Sequence, residues 1–238
     1  MYIDLEPLIK KLEPKKVEGE KILGILKYGE HEDSMAYIKS IEKKAEKVGV
    51  KIIVQDLKGV DMPSLKIKEI EQLVDYILPI KPFPQYVSLM LEVILDRYKD
   101  IDNFTNESMY LNCTAEAVLR ILEYLNIDTN RHILVIGRHI GLEIFKTLLQ
   151  KDYTCTIAHS KTNNLEVLTK NADVIISATG VRNLIKKDMV KVNSMIIDVG
   201  LGDVEKDVID KAYVTPIQNG VGAVTTQILF RHILEGWR

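Results

Sequence analysis

Four short runs in the second half of the chain constrain the fold most. "HILVIG" (132–137), "YTCTIAH" (153–159), "ADVIISATG" (172–180) and "SMIIDVG" (194–200) are rich in β-branched residues and carry little charge. The helical stretch "LEIFKTLLQK" separates the first two, and shorter helical or loop pieces separate the rest. Apolar strands alternating with helices predict a parallel sheet with both faces covered. The first half repeats the alternation more loosely. "KILGILKYG" (21–29) and "VKIIVQDL" (50–57) predict buried strands. Between them "SMAYIKSIEKKAEKVGV" (34–50) predicts an amphipathic helix that Ser34 caps and Gly49 ends, with Tyr37, Ile41, Ala45 and Val48 on one face. "SLKIKEIEQLVDYI" (64–77) has helical period, and "LPIKPFP" (78–84), with three prolines, is extended or turning. "TAEAVLRILEYLNI" (114–127) reads as a helix with Thr114 as its cap. The expected fold class is α/β with two domains, the second Rossmann-like.

A chain of 238 residues has room for one large domain or two modest ones. Its net charge of −2 gives no basic field for nucleic acid or an anionic membrane, and no apolar run reaches the length of a membrane span. The N-terminus lacks the apolar core of a signal peptide. Two cysteines, Cys113 and Cys155, are too few for a disulfide framework and lack paired metal-ligand spacing. These features predict a cytoplasmic location and no metal site.

Two segments point to a nucleotide. "VIGRHIGLEIF" places Gly137 and Gly141 between a strand and a helix, where backbone amides and the helix N-terminus can approach a pyrophosphate. The same spacing also suits a tight turn with no ligand. Arg138 and His139 lie inside this turn. "HSKT" ends the next strand and offers Ser160, Lys161 and Thr162 where a Rossmann domain meets the adenosine ribose. Donors and a cation there suit a 2′-phosphate better than a free hydroxyl. The alternative is a solvated lysine in a loop. "YVTPIQNGVGAVTTQILFRHIL" (213–234) places a glycine-rich loop before a helix, close enough to approach a ligand. Cys113 has no histidine near it in sequence and reads as a small buried residue. Tyr37 is either a core tyrosine or half of an active site.

The order of these pieces resembles the methylenetetrahydrofolate dehydrogenase/cyclohydrolase family, the bifunctional FolD type. "ILGILKYGEHEDSMAYIKS" is similar to that family's first strand, its V-G-x-x-x-x-S-x-x-Y turn and its tyrosine helix. "LPIKPFP" stands for Q-L-P-L-P, "YKDIDNF" for K-D-V-D-G-F, and "LNCTAEAVLRIL" for P-C-T-P-x-G-x-x-x-L-L. "VIGRHIG" is similar to V-I-G-R-S-x-x-V-G, "AHSKT" to C-H-S-R-T, "IIDVG" to V-I-D-V-G, and "TPIQNGVGAVT" to T-P-V-P-G-G-V-G-P-M-T. The matches run in register from about residue 22 to 230.

The resemblance implies a folate domain over residues 1–117 and an NAD(P)-binding domain over 118–224, with a cleft between them. It also implies that the helix over 225–238 returns to the first domain. It implies a folate substrate, NADP (or NAD) as cofactor, and a homodimer. Carried over residue by residue, Tyr37 and Asp102 are catalytic and contact folate together with Pro216, Gly220 and Val221. Gly137, Arg138, His139, Ser160, Lys161, Thr162, Gly180, Gly200 and Thr225 surround the cofactor. The departures are equally specific. The family's lysine four residues after the tyrosine is Ile41, and its glutamine before L-P-L-P is Ile80. The glycine after the second aspartate is Asn103, the proline and glycine of C-T-P-x-G are Ala115 and Ala117, and the cofactor turn is two residues shorter. The lysine serves the cyclohydrolase step, which needs a tuned acid–base group. The resemblance therefore implies hydride transfer, with hydrolysis in doubt unless another group, such as Lys44, has taken over. A non-catalytic folate- or nucleotide-binding relative is the remaining alternative.

Overall fold

Two parallel sheets organise the chain in the computed structural model, which describes residues 1–15 and 19–236. Helix α1 (Glu6–Lys11) is followed by β1 (Lys21–Lys27), α2 (Glu32–Val48), β2 (Val50–Asp56), α3 (Pro63–Leu73), β3 (Tyr76–Pro79), α4 (Gln85–Ile94) and α5 (Cys113–Tyr124). Then come β4 (Ile133–Gly137), α6 (Ile140–Gln150), β5 (Cys155–Ala158), α7 (Leu165–Asn171), β6 (Val174–Ala178), β7 (Met195–Asp198), β8 (Tyr213–Val214) and α8 (Val221–Glu235). The chain divides into two compact units, Pro14–Cys113 with Leu229–Arg238, and Thr114–Ile228 with Met1–Glu13.

The first of these units contains a three-stranded parallel sheet in the order β2-β1-β3. β1, at its centre, is buried from Leu23 to Lys27, as a strand paired on both edges is expected to be. The third strand corrects the sequence reading, which carried the helical period of 64–77 through to its end. The helix stops at Leu73, and Tyr76–Pro79 pairs with Leu23–Leu26 instead. Proline is tolerated there because it ends an edge strand. Ser34 also departs from its expected role. α2 starts two residues earlier, with His31 at its N-cap, and the Ser34 hydroxyl donates to the Lys81 carbonyl at 2.9 Å. The apolar face of α2 is as expected at its centre: Ile38, Ile41 and Ala45 are buried. Gly49 ends the helix in the left-handed conformation, where a side chain is disfavoured.

The other unit is the Rossmann-like one. Its five strands are all parallel, in the order β5-β4-β6-β7-β8, with the four expected runs forming β4 to β7. The order reverses direction at β4, so the β4–α6 turn lies at the switch point where such sheets bind ligands. The observed units meet at Cys113/Thr114, whereas the sequence expectation placed the cut after 117. Residues 1–13, expected with the folate domain, lie with the Rossmann unit. The Ile3 amide donates to Val214 at 2.8 Å and the Val214 amide to Met1 at 3.0 Å, so the N-terminus covers the β8 edge. Thr114 lies inside the first turn of α5 rather than before it.

The shortened turn after β4 is tight. Gly137 has φ of +149°, and a Cβ there would lie 2.4 Å from the Ala178 carbonyl oxygen of β6. His139 has φ of +44° and ψ of −100°, a strained conformation for a residue with a side chain. Gly137→Ala should therefore lower stability by about 2 kcal/mol or more, since neither strand can retreat without breaking the ladder. His139→Gly, which removes strain, should raise it by about 1 kcal/mol. Urea unfolding of the two variants beside wild type measures both; equal midpoints for all three proteins contradict this account of the turn.

Candidate functional site

The residues expected at the site fall into two groups, one in each unit. In the first, Lys99 and the two aspartates of "KDID" divide the work. The Lys99 ammonium donates to the Val74 carbonyl at 2.7 Å and also to that of Glu71, which closes the end of α3. Asp100 is fully buried and folds the loop that follows. Its carboxylate accepts the amides of Phe104 at 3.0 Å and Thr105 at 2.8 Å, and the Thr105 hydroxyl at 2.8 Å. Asp102 is the residue this loop presents. Its Oδ1 accepts the Cys113 amide at the start of α5, at 2.7 Å. The Cys113 side chain also hydrogen-bonds this carboxylate. Asp102 thus caps α5 from a loop that leaves its side chain only partly buried. Burial pushes its carboxyl up to about 6, opposed by the Cys113 hydrogen bonds.

Asn103, where the related motif has glycine, has φ of +54°. The position needs a left-handed backbone, which asparagine tolerates better than most residues. Its side-chain oxygen also accepts the Ser108 amide at 3.1 Å. The start of the tyrosine helix is held by charge. Lys27 donates to Asp56 at 3.0 Å and to Glu30, and Asp56 accepts the Gly29 amide at 2.9 Å. Tyr37 is half-buried, and burial, followed by the nearby Cys113 and Asp102, pushes its phenol well above the usual range. It is therefore a hydrogen-bond donor across the physiological range. One turn on, Ile41 is 0% exposed, and Ile80 is 7% exposed. Lys44 lies half-buried on the same helix. Lys81 stands beside Ile80 with its ammonium 5.1 Å above the Phe104 ring.

Sequence reasoning missed one member of this group. Cys113 does have a histidine: His232, on α8, places Nδ1 3.6 Å from its sulfur and 3.3 Å from the Ile101 carbonyl. The pair is 119 residues apart in sequence, so no local spacing could reveal it. No cluster of three or more metal-ligating side chains occurs among the described residues.

In the Rossmann unit, Arg138 and Ser160 come together. Nε and Nη2 of Arg138 each lie 3.4 Å from Ser160 Oγ, and both residues are exposed, as is Lys161. The Thr162 hydroxyl accepts the His159 amide at 2.9 Å and shapes this turn. The tight turn after β4 bonds to itself, the Gly141 amide donating to Arg138 and the Leu142 amide to His139, and leads straight into α6. The arrangement of a guanidinium, a hydroxyl, a lysine and the N-terminus of α6 fits the anionic adenosine end of a dinucleotide.

At the ends of β6 and β7, Gly180 has φ of +67° and is exposed. Gly200 is constrained by packing instead: a Cβ there would lie 2.1 Å from Oδ1 of Asp203. That buried carboxylate accepts Ser177 Oγ at 2.7 Å, and the Thr179 amide and hydroxyl at 2.8 Å each, and so fixes the residue before Gly180. Pro216, Gly220 and Val221 belong to this unit too. The loop folds back so tightly that a Cβ on Gly220 would meet the Pro216 carbonyl oxygen at 1.8 Å. Thr225 is buried and donates its hydroxyl to Val221 of its own helix at 3.0 Å.

Comparison with known proteins agrees with this geometry. Residues 112–238 match the family model for the tetrahydrofolate dehydrogenase/cyclohydrolase NAD(P)-binding domain. The chain is 32% identical to the bifunctional protein FolD of Thermotoga maritima over 266 aligned positions, covering 99% of this chain and 97% of that one. It superposes on the FolD methylenetetrahydrofolate dehydrogenase/cyclohydrolase of Campylobacter jejuni with a TM-score of 0.85 and 29% identity, over 99% and 98% of the two chains. A 5,10-methylenetetrahydrofolate dehydrogenase from the silkworm Bombyx mori aligns with a TM-score of 0.79 and 30% identity, over 91% of this chain and 86% of that one. A folate-side unit that presents Asp102 beside Tyr37, a Rossmann unit that gathers Arg138 and Ser160, and full-length similarity at this level place the chain in the tetrahydrofolate dehydrogenase/cyclohydrolase family, as a FolD-type enzyme with an NAD(P)-binding domain.

Proposed function

We propose that this chain transfers a hydride from 5,10-methylenetetrahydrofolate to NADP and that its cyclohydrolase step is weak or absent. The observation that carries the reading is Ile41. It is fully buried one turn from Tyr37, where the family resemblance places the lysine of the hydrolytic step, and Ile80 replaces that lysine's glutamine. Loss of both together removes the tuned acid–base group while leaving Tyr37 and Asp102 in place.

Hydride transfer asks less of the protein. As the hydride leaves the methylene carbon, a ring nitrogen of the folate pushes in its lone pair, and no proton leaves carbon. Asp102 accepts from the pterin amino and ring N–H groups through its carboxylate. The Tyr37 phenol keeps its proton and packs against the ring. Arg138, Ser160 and Lys161 bind the 2′-phosphate, the N-terminus of α6 meets the pyrophosphate, and Gly180 leaves room beside the nicotinamide ribose. When bound, the nicotinamide supplies the hydride acceptor. The protein's main task is orientation. The same reading carries a cytoplasmic homodimer paired through the Rossmann unit, where Leu142 and Leu149 lie exposed seven residues apart on α6. Light scattering on the purified protein tests the dimer.

Three experiments test this function. Incubated with methylenetetrahydrofolate and NADP, the protein should reduce the cofactor and accumulate the methenyl product. Ile41→Lys should add some cyclohydrolase activity, and Ile80→Gln should increase that gain more than additively, because a lysine at a buried position needs a partner. Efficient hydrolysis by wild type that disappears in Lys44→Ala would instead assign the step to Lys44.

The second experiment concerns pH. A carboxyl near 6 holds the pterin only when ionised, so kcat/KM for the folate should fall about tenfold per pH unit below that value. Asp102→Asn should weaken folate binding by about 1.5–3 kcal/mol at neutral pH. A flat profile between pH 5 and 7 (by the same reasoning) would exclude Asp102 as the anchor. Third, Lys161→Asp should weaken NADP more than NAD by roughly 2 kcal/mol, from one lost charge-assisted contact and one added repulsion. Equal losses for the two cofactors would show that this loop does not choose between them.

A further inference from the structure

The His232 imidazole touches both ends of the loop that presents Asp102. It is 8% exposed and sits on the part of α8 that belongs with the folate-side unit. Nδ1 lies 3.3 Å from the carbonyl of Ile101, the residue immediately before Asp102. The same nitrogen lies 3.6 Å from the sulfur of Cys113, whose amide donates to Asp102 Oδ1 at 2.7 Å. The Cys113 thiol in turn lies 3.7 Å from the Ile101 carbonyl. On its face the ring packs against Tyr110 with centroids 4.9 Å apart and planes inclined by 37°. One nitrogen thus reaches both the residue that enters the Asp102 loop and the residue that leaves it.

We propose that His232 is a positioning residue for folate binding: its Nδ1–H pins the two feet of the Asp102 loop together and so keeps the Asp102 carboxylate aimed at the pterin. This rests on the folate reading of Asp102. A carbonyl oxygen can only accept, so the contact with Ile101 requires the hydrogen on Nδ1. Cys113 then shares that hydrogen or turns its own thiol proton toward the Ile101 carbonyl. Protonation at Nε2 leaves Nδ1–H in place, so the clamp holds in both charge states of the ring. The clamp also explains how this loop keeps its carboxylate on the first amide of α5. Were the feet to separate, the Cys113 amide would leave Oδ1, and the carboxylate would turn to satisfy itself elsewhere.

The ionisable groups facing Asp102 are Asp100, Cys113, Tyr37 and His232. Burial raises its carboxyl, helped by Asp100, and the Cys113 bonds oppose them. Opening the clamp therefore moves the acid limb of folate binding upward from about 6.

His232→Phe keeps the ring against Tyr110 and removes the donor. His232→Asn places an amide N–H near the position of Nδ1. Tetrahydrofolate binding, measured by calorimetry without NADP, should weaken about tenfold in His232→Phe and return to within about threefold of wild type in His232→Asn. NADP binding, which belongs to the Rossmann unit, should be unchanged in both. The acid limb should rise in His232→Phe only. A lowered melting temperature with unchanged folate affinity and pH profile would make His232 a packing residue and overturn the proposal, as would failure of a folded His232→Asn to restore binding. If His232→Phe does not fold, imidazole ¹⁵N spectra of the wild type decide: a neutral ring with hydrogen on Nδ1 supports the clamp, and hydrogen on Nε2 alone overturns it. Wild type that binds no tetrahydrofolate would sink the folate reading itself, a different outcome from wild type and His232→Phe binding it equally.

Discussion

The Asp100 carboxylate is the interaction on which the folate-side unit's chemistry depends. It lies fully out of water, and three donors from Phe104 and Thr105 satisfy it. A buried carboxylate without such donors is strongly unfavourable, so the loop has little choice but to wrap around it. The wrap turns the chain between α4 and α5, brings Phe104 against Phe83 at a ring separation of 5.9 Å, and leaves Asp102 at the turn. Two aspartates one residue apart therefore have opposite tasks. The one turned inward builds the loop, and the one the loop presents caps α5.

A second buried carboxylate plays the matching part in the Rossmann unit. Asp203 lies beneath the ends of β6 and β7, gathers Ser177 and Thr179, and packs so closely on Gly200 that no side chain fits there. Gly137 does the equivalent one strand over, where β4 and β6 approach each other. Glycines that a motif assigns to a ligand are thus required first by the protein's own packing. The two roles are compatible, because a surface drawn tight by its scaffold is also a surface that a flat cofactor can approach.

Much of this could be read from the residues. The strands β4 to β7 were legible because β-branched runs between helices have few other solutions, and the eight motifs in register fixed the family. Asp102, Arg138 and Ser160 followed from those motifs, and the structure brings the last two together. What was not legible was non-local. β3 hides behind a helical period that continues past Leu73, and only pairing with β1 makes Tyr76–Pro79 a strand. Ser34 looks like a cap in sequence, but a carbonyl from a distant loop takes its hydroxyl. His232 lies far from Cys113 along the chain, on a helix whose own pattern reports only apolar spacing. The N-terminal residues gave no sign of joining the Rossmann sheet, since a few backbone bonds to Val214 leave no side-chain signature.

The two isoleucines have an evolutionary consequence. A lysine appearing alone at position 41 enters a fully buried site, where an unpaired ammonium is destabilising by on the order of several kcal/mol. A glutamine appearing alone at position 80 leaves a nearly buried amide without its partner, at a cost of about 1–3 kcal/mol. Each step back is unfavourable by itself, and only the pair is self-consistent. The substitutions therefore act as a ratchet. With both positions apolar, each single change toward a lysine–glutamine pair is opposed, so under the proposed function the hydrolytic step is not regained one residue at a time.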